Sequence, residues 1–311
     1  MELLFLGTSA GRPVQGRNVT AAALLLPQER GVWLFDCGEG TQHQLMRAGV
    51  KLTKLQQIFI THMHGDHTFG LPGLLSTRSS LGTEEPLRLY GPSGLRDWVQ
   101  RTLALTDTRL GYALEITEVR PGAIYEDERL RVVTDTLEHR VACYGYRIEE
   151  KPQRGRLKAE LLQGLGVPFG PLYGQLKEGQ DVQLPDGLLI RSDDVTEPAR
   201  SGRIVTILGD TRPCANAVRL AQGADLVVHE ATFDAALEDK ALAYGHSTTV
   251  QAAHTASEAG ARRLLLTHFS ARFTEADMAQ LAEEARALFP ATETASDFAV
   301  VAVRHANRAD A

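Results

Sequence analysis

The run Thr61-His62-Met63-His64-Gly65-Asp66-His67 constrains this chain more than any other stretch. It leaves an apolar, strand-like segment, Ile58–His62, and puts three imidazoles and a carboxylate within six positions. Hydrogen-bond demand does not explain packing that many into one strand exit. Imidazole nitrogen and carboxylate oxygen are the donors that zinc and related divalent ions take. In extended backbone, positions two apart point the same way, so His62 and His64 can grip one ion together. Beyond the turn at Gly65, Asp66 and His67 can face a second ion.

The remaining donors are expected at other strand ends. His139 closes LRVVTDTLEH, Asp210 closes RIVTILGD and His268 closes RRLLLTH. Each is a donor directly after an apolar strand, at the edge where α/β sites form. Singly they are weak, since an aspartate at a strand end is more often a turn residue. With the cluster they complete a two-metal site. His43, His254 and His305 have no such context.

The segments around these ends alternate in type. ELLFLG, AALLLP, VWLFDCG, LRLYGP, DLVVHE and FAVVAV read as strands. CANAVRLAQ, TTVQAAHTASEAG and TEADMAQLAEEARALF read as helices, and another is expected over Thr68–Ser80 despite Pro72. The alternation predicts an α/β fold. From Glu149 to Asp194 glycine and proline are dense and periodicity is poor, which predicts a long surface loop. Loops of that length in compact domains are often functional.

Composition removes several classes. The chain has 311 residues, 43% hydrophobic and 23% charged, with a net charge of −6. It is neither disordered nor collagen-like. No window resembles a membrane span, and MELLFLGTSAG lacks the basic start of a secretory signal. Cys37, Cys143 and Cys214 form neither a disulfide framework nor a metal knuckle, which fits the reducing cytoplasm. The acidic balance argues mildly against a nucleic-acid binder, although bound metal or a local basic patch can reverse the field.

HxHxDH followed by a single His, a single Asp and a final His resembles the metallo-β-lactamase superfamily over nearly the whole chain. The resemblance implies an αβ/βα four-layer sandwich spanning 1–311 as one domain, with metals at one edge. It implies one zinc on His62, His64 and His139, another on Asp66, His67 and His268, and Asp210 between them. Two such cations lower the pKa of a shared water and stabilise phosphoryl charge. Asp66 would orient that water and accept its proton. Manganese or iron suits the same donors. The signature alone does not select a substrate.

Four further segments resemble the tRNase Z family. Pro13-Val14-Gln15-Gly16-Arg17-Asn18 is similar to its PxKxRN loop, with Gln15 in place of lysine, which leaves any phosphate contact there to Arg17 beside Asn18. Asp36-Cys37-Gly38-Glu39-Gly40-Thr41-Gln42 is similar to its DCGEGTQ segment. There Asp36 could fix the tautomer of a ligand imidazole, and Thr41 could cap a helix. His229-Glu230-Ala231-Thr232 and His246-Ser247-Thr248 are similar to its HEAT and HST motifs, with His246, backed by Glu230, donating a proton to an alkoxide leaving group. The segment around Gly170-Pro171 is similar to the Gly/Pro motif of its flexible arm. Lys151, Arg154, Arg156 and Lys158 lie just before that motif and can contact phosphates without reading sequence. The resemblance implies a flexible tRNA-binding arm over 150–195 and cleavage of precursor tRNA after the discriminator nucleotide. It also implies a homodimer in which one subunit's arm grips tRNA cut by the other. Two rivals remain at this level: a metallohydrolase of a small thioester, lactam, sulfate ester or phosphodiester, and a non-enzymatic RNA-binding protein.

Overall fold

The computed structural model describes residues 1–26 and 31–304; His305 and the end of AALLLP lie outside them. The chain divides into two compact units, one of Met1–Glu149 with Ile204–Arg304 and one of Glu150–Arg203, the second falling where the inserted arm over 150–195 was expected.

The larger unit has two seven-stranded sheets. The first runs, edge to edge, Val300–Ala302, Glu2–Gly7, Ala21–Leu26, Gly31–Phe35, Leu55–Phe59, Leu87–Gly91 and Leu114–Glu118. The second runs Thr292–Thr294, Leu264–Thr267, Leu226–Glu230, Ile204–Ile207, Cys143–Glu150, Leu130–Leu137 and Gly122–Glu126. The alternating period of each strand gives one side chain set to each face. Leu3, Phe5, Trp33, Phe35 and Phe59 from the first sheet meet Tyr146, Ile148, Val205, Val228 and Leu265 from the second. The outer face of the first sheet buries Leu4, Leu34 and Ile58 with Leu45, Leu74 and Val99 of the helices Thr41–Arg47, Leu71–Ser80 and Leu95–Leu105. The outer face of the second packs on Ala215–Ala221, Thr249–Glu258 and Met278–Arg286. The layers are therefore helix, sheet, sheet, helix, as expected.

Tyr146 links the layers where it matters for the site. It is fully buried between the sheets, and its hydroxyl donates to the Ile60 carbonyl at 2.6 Å. Tyr144 N–H donates to Thr61 O at 2.9 Å. The second sheet thus holds the exit of the strand that carries the histidine run. That strand ends at Phe59, earlier than expected, and the run continues as extended loop and a short helix, Gly65–Thr68. The following helix starts at Leu71 rather than Thr68, with Pro72 tolerated in its first turn.

The Glu150–Arg203 unit corrects the expected loop. It holds helices Ala159–Gly164 and Pro171–Glu178 and the hairpin Val182–Gln183/Leu189–Ile190. Its own core is Leu162, Val167, Leu176, Val182, Leu184, Ile190 and Val195. The dense Gly and Pro are helix punctuation: Gly166, at φ 73°, follows the first helix, and Pro171 opens the second. Helices this short leave little periodicity to read. The unit runs past 195 to Arg203, whose guanidinium donates to both Glu150 carboxylate oxygens at 2.7 Å.

Candidate metal centre

All seven expected donors gather at one edge of the larger unit. His62, His64, His139 and Asp210 offer ligand atoms within 4.8 Å of one another, as do Asp66, His67 and His268. Asp210 lies between the groups, 3.6 Å from His62 Nε2, 3.6 Å from His67 Nε2 and 3.5 Å from His268 Nε2.

Hydrogen bonds fix which nitrogen each imidazole presents. A carboxylate only accepts, so His67 Nδ1 donates to Asp36 at 2.8 Å, as expected of Asp36. The Thr61 hydroxyl donates to Asp36, so its oxygen accepts from His62 Nδ1 at 3.0 Å. The Thr232 hydroxyl donates to Glu230 at 2.6 Å, so its oxygen accepts from His268 Nδ1 at 2.9 Å. His139 Nδ1 donates to the Gly245 carbonyl at 2.6 Å. Four Nε2 lone pairs therefore point inward, and His64 turns its Nδ1 to the same centre. His62 Nε2 and His64 Nδ1 lie 3.0 Å apart, and His67 Nε2 and His268 Nε2 3.2 Å apart. Lone pairs converging with no proton between them suit a cation, and the donor set fits two divalent ions.

The electrostatics divide the donors: burial would lower His67, but Asp210, Asp36 and Asp66 hold its pKa well above the ordinary imidazole value. Burial holds the His62, His64 and His139 pKa values low, so these rings are neutral and ready to ligate. Burial would raise Asp210, yet the imidazoles beside it, His268 and then His67, hold it far below the carboxylate range. Asp66 is likewise depressed against its burial by His67 and His268, and accepts from Gly11 N–H at 2.7 Å.

His246 stands beside the donors, with Nδ1 2.9 Å from Glu230 Oε1. Glu230 is buried and also accepts from Thr211, Thr232 and Ser247 N–H groups. Burial would depress His246, but the Glu230 charge and hydrogen bond lift it to about 9. The helix after it is capped by Thr248, which accepts from Gln251 N–H. His229 is buried, with Nδ1 donating to Glu230 O, and takes no place among the donors. Thr41 opens a helix whose cap is Gly40, so its hydroxyl donates to Gly38 O instead of capping.

The other expected contacts divide. Arg17 is buried and donates to the Ser270 and Phe273 carbonyls, so it ties down the loop after His268. The turn closed between Val14 and Arg17 brings this about, and the loop's exposed cation is Arg12. Asn18 joins loops, donating to Glu39 O and Asp297. Arg154 pairs with Asp193 at 2.7 Å. Arg156, Lys158 and Pro171 are exposed and Gly170 is half-buried. The unit is not basic as a whole, with eight Lys and Arg against eight Asp and Glu. Sequence reasoning missed the tautomer-setting Thr61, Thr232 and Gly245; the position of Thr61 directly before His62 was the available signal.

Two facing sheets with paired donor groups sharing one carboxylate at their edge define a binuclear metallohydrolase of the metallo-β-lactamase fold. The family description "Anti-Pycsar protein Apyc1" matches residues 1–115. Ribonuclease Z of Geobacillus kaustophilus is 51% identical over 300 residues, covering 96% of this chain and 98% of that protein. Ribonuclease BN of Escherichia coli is 50% identical over 302 residues, covering 96% and 99%. The crystal structure of the short form of human tRNase Z superposes with a TM-score of 0.72 at 32% identity, covering 98% of this chain and all of that one. The chain belongs to the ribonuclease Z family, endoribonucleases of tRNA 3′-end processing.

Proposed function

We propose that this chain removes the 3′ trailer of precursor tRNA, cutting after the discriminator nucleotide to leave a tRNA 3′-hydroxyl and a trailer 5′-phosphate. The observation that carries the reading is the Asp210 carboxylate shared by two donor groups, next to a carboxylate-backed His246. We assign His62, His64 and His139 to one ion, Asp66, His67 and His268 to the other, and Asp210 to both. When bound, two zinc ions supply acidity to the attacking water and offset phosphoryl charge; manganese and iron suit the same donors.

Asp66, steadied by Gly11 N–H, orients the water and takes its proton. His246, kept protonated by Glu230, gives a proton to the departing 3′-oxygen, a contribution of about 10²–10⁴-fold. We further propose that the Glu150–Arg203 unit is the tRNA-gripping arm, through Arg156, Lys158 and the Gly170-Pro171 segment. Arg154, engaged with Asp193, contributes less. In this reading the enzyme works as a cytoplasmic homodimer.

The test is incubation with a 3′-extended precursor tRNA, with and without chelator and added Zn²⁺, followed by mapping of the product ends. One chelator-sensitive cut beside the discriminator is expected. An intact precursor, with two metals measured on the protein, overturns the reading in favour of a small-molecule hydrolase.

A further inference from the structure

A cleft of about 320 Å³ opens beside the donors, lined by Asp66, Asp210, His246 and His268 and, on one side, by Phe233, Lys240, Tyr244 and Arg272. The second set forms a continuous stack. The Phe233 and Tyr244 rings lie 6.5 Å apart, centroid to centroid, at 27°. Lys240 Nζ stands 6.0 Å from the Tyr244 ring, and the Arg272 guanidinium 5.2 Å from the Phe233 ring. Lys240 and Tyr244 share a face of the helix Glu238–Tyr244, four positions apart. Phe233 is buried, whereas Tyr244 is 48% exposed.

An exposed ring backed by a second ring and flanked by two cations suits one ligand class, a nucleotide. Its base lies on the π-face and its phosphates meet the cations. The position beside His246 selects which nucleotide. Phe233 is 6.0 Å from the His246 ring, and Tyr244 precedes His246 by two residues across Gly245. Gly245, at φ 80°, makes the left-handed turn that ends the helix, and its carbonyl accepts from His139. One turn of backbone therefore fixes the aromatic wall, the proton donor and a metal donor together. The nucleotide nearest the proton donor is the one whose 3′-oxygen departs.

We propose that Tyr244, with Lys240 and Arg272, forms the stacking subsite for the discriminator nucleotide. This rests on the precursor-tRNA reading and on His246 as the acid. Stacking tolerates any base, so the subsite measures the presence of a base rather than its identity.

The test compares precursor tRNAs with a normal or an abasic discriminator, cut by wild type, Tyr244→Ala and Tyr244→Phe. Hydrolysis of bis(4-nitrophenyl) phosphate serves as the check on folding and metal loading. Tyr244→Ala should lower kcat/KM on the normal precursor about tenfold, and Tyr244→Phe should restore it. The abasic precursor should cost wild type the same factor and Tyr244→Ala nothing further. Equal losses for Tyr244→Ala on both precursors, or no rescue by Tyr244→Phe, overturn the subsite while leaving the proposed function standing. A wild type that leaves both precursors intact yet turns over the small ester overturns the function and the subsite with it.

Discussion

At the metal-donor edge nearly every polar side chain is held by another: Asp36 holds Thr61 and His67, and Glu230 holds Thr232 and His246. In the Glu150–Arg203 unit the charges stand mostly on the surface, in equal numbers of each sign, over a core of seven apolar side chains. The first region fixes single atoms, as bond-breaking requires. The second presents a surface, which suits backbone contacts that set register without reading sequence. Damage to the first should therefore abolish chemistry on every substrate, whereas damage to the second should be felt by a large substrate alone.

The sharpest break is Asp66→Ala. Turnover of precursor tRNA should fall by at least about 10³-fold, within the range for loss of the proposed proton acceptor. The tRNA dissociation constant, measured by filter binding, should barely change, and equal loss of both would make Asp66 a folding residue. His246→Ala should lower kcat by about 10²–10⁴-fold. Glu230→Gln sharpens that result through its pH profile. The carboxylate raises the His246 pKa, so its removal lowers it, the acid form is lost sooner and the alkaline limb of kcat moves to lower pH.

Excision of 150–203 should cost precursor cleavage at least about 10²-fold by removing the proposed phosphate contacts, yet leave bis(4-nitrophenyl) phosphate turnover nearly intact. Parallel loss on both substrates would break the comparison. Leu176→Ala should cost the small unit about 2–5 kcal/mol. Amides in 159–178 should then lose hydrogen-exchange protection while those in 58–67 keep it. The smallest effect is expected from Tyr146→Phe, about 1 kcal/mol for one buried hydrogen bond to Ile60, read as a lower denaturant midpoint.

The same contrast explains what the sequence made legible. The donors His62, His64, Asp66 and His67 are neighbours in the chain, and His139, Asp210 and His268 each follow an apolar strand. Local pattern was enough to find them. Most of the central strands were visible for the same reason, since they are apolar, whereas Leu114–Glu118, Gly122–Glu126, Cys143–Glu150 and Thr292–Thr294 are short or interrupted by charged and polar residues and were not read. The burial of Arg17 was not legible because it depends on Phe273, far off in sequence. The helices at Ala159–Gly164 and Pro171–Glu178 were hidden because six or eight residues carry too few turns to display a period, and their caps looked like loop composition. Gly245 was invisible because it acts through its carbonyl, which every residue has.

The ladder that ends at Glu149 and Ile204 sets those residues side by side in adjacent antiparallel strands. Chain leaves and re-enters the second sheet at one point, so an insertion of any length there asks nothing of the strands around it. Closing a longer loop adds only about 0.6 kcal/mol per doubling. Evolution can therefore treat this position as a socket, exchanging one module for another while the catalytic edge is inherited unchanged. Variation within the family should accordingly gather between these two residues, in length as well as in sequence.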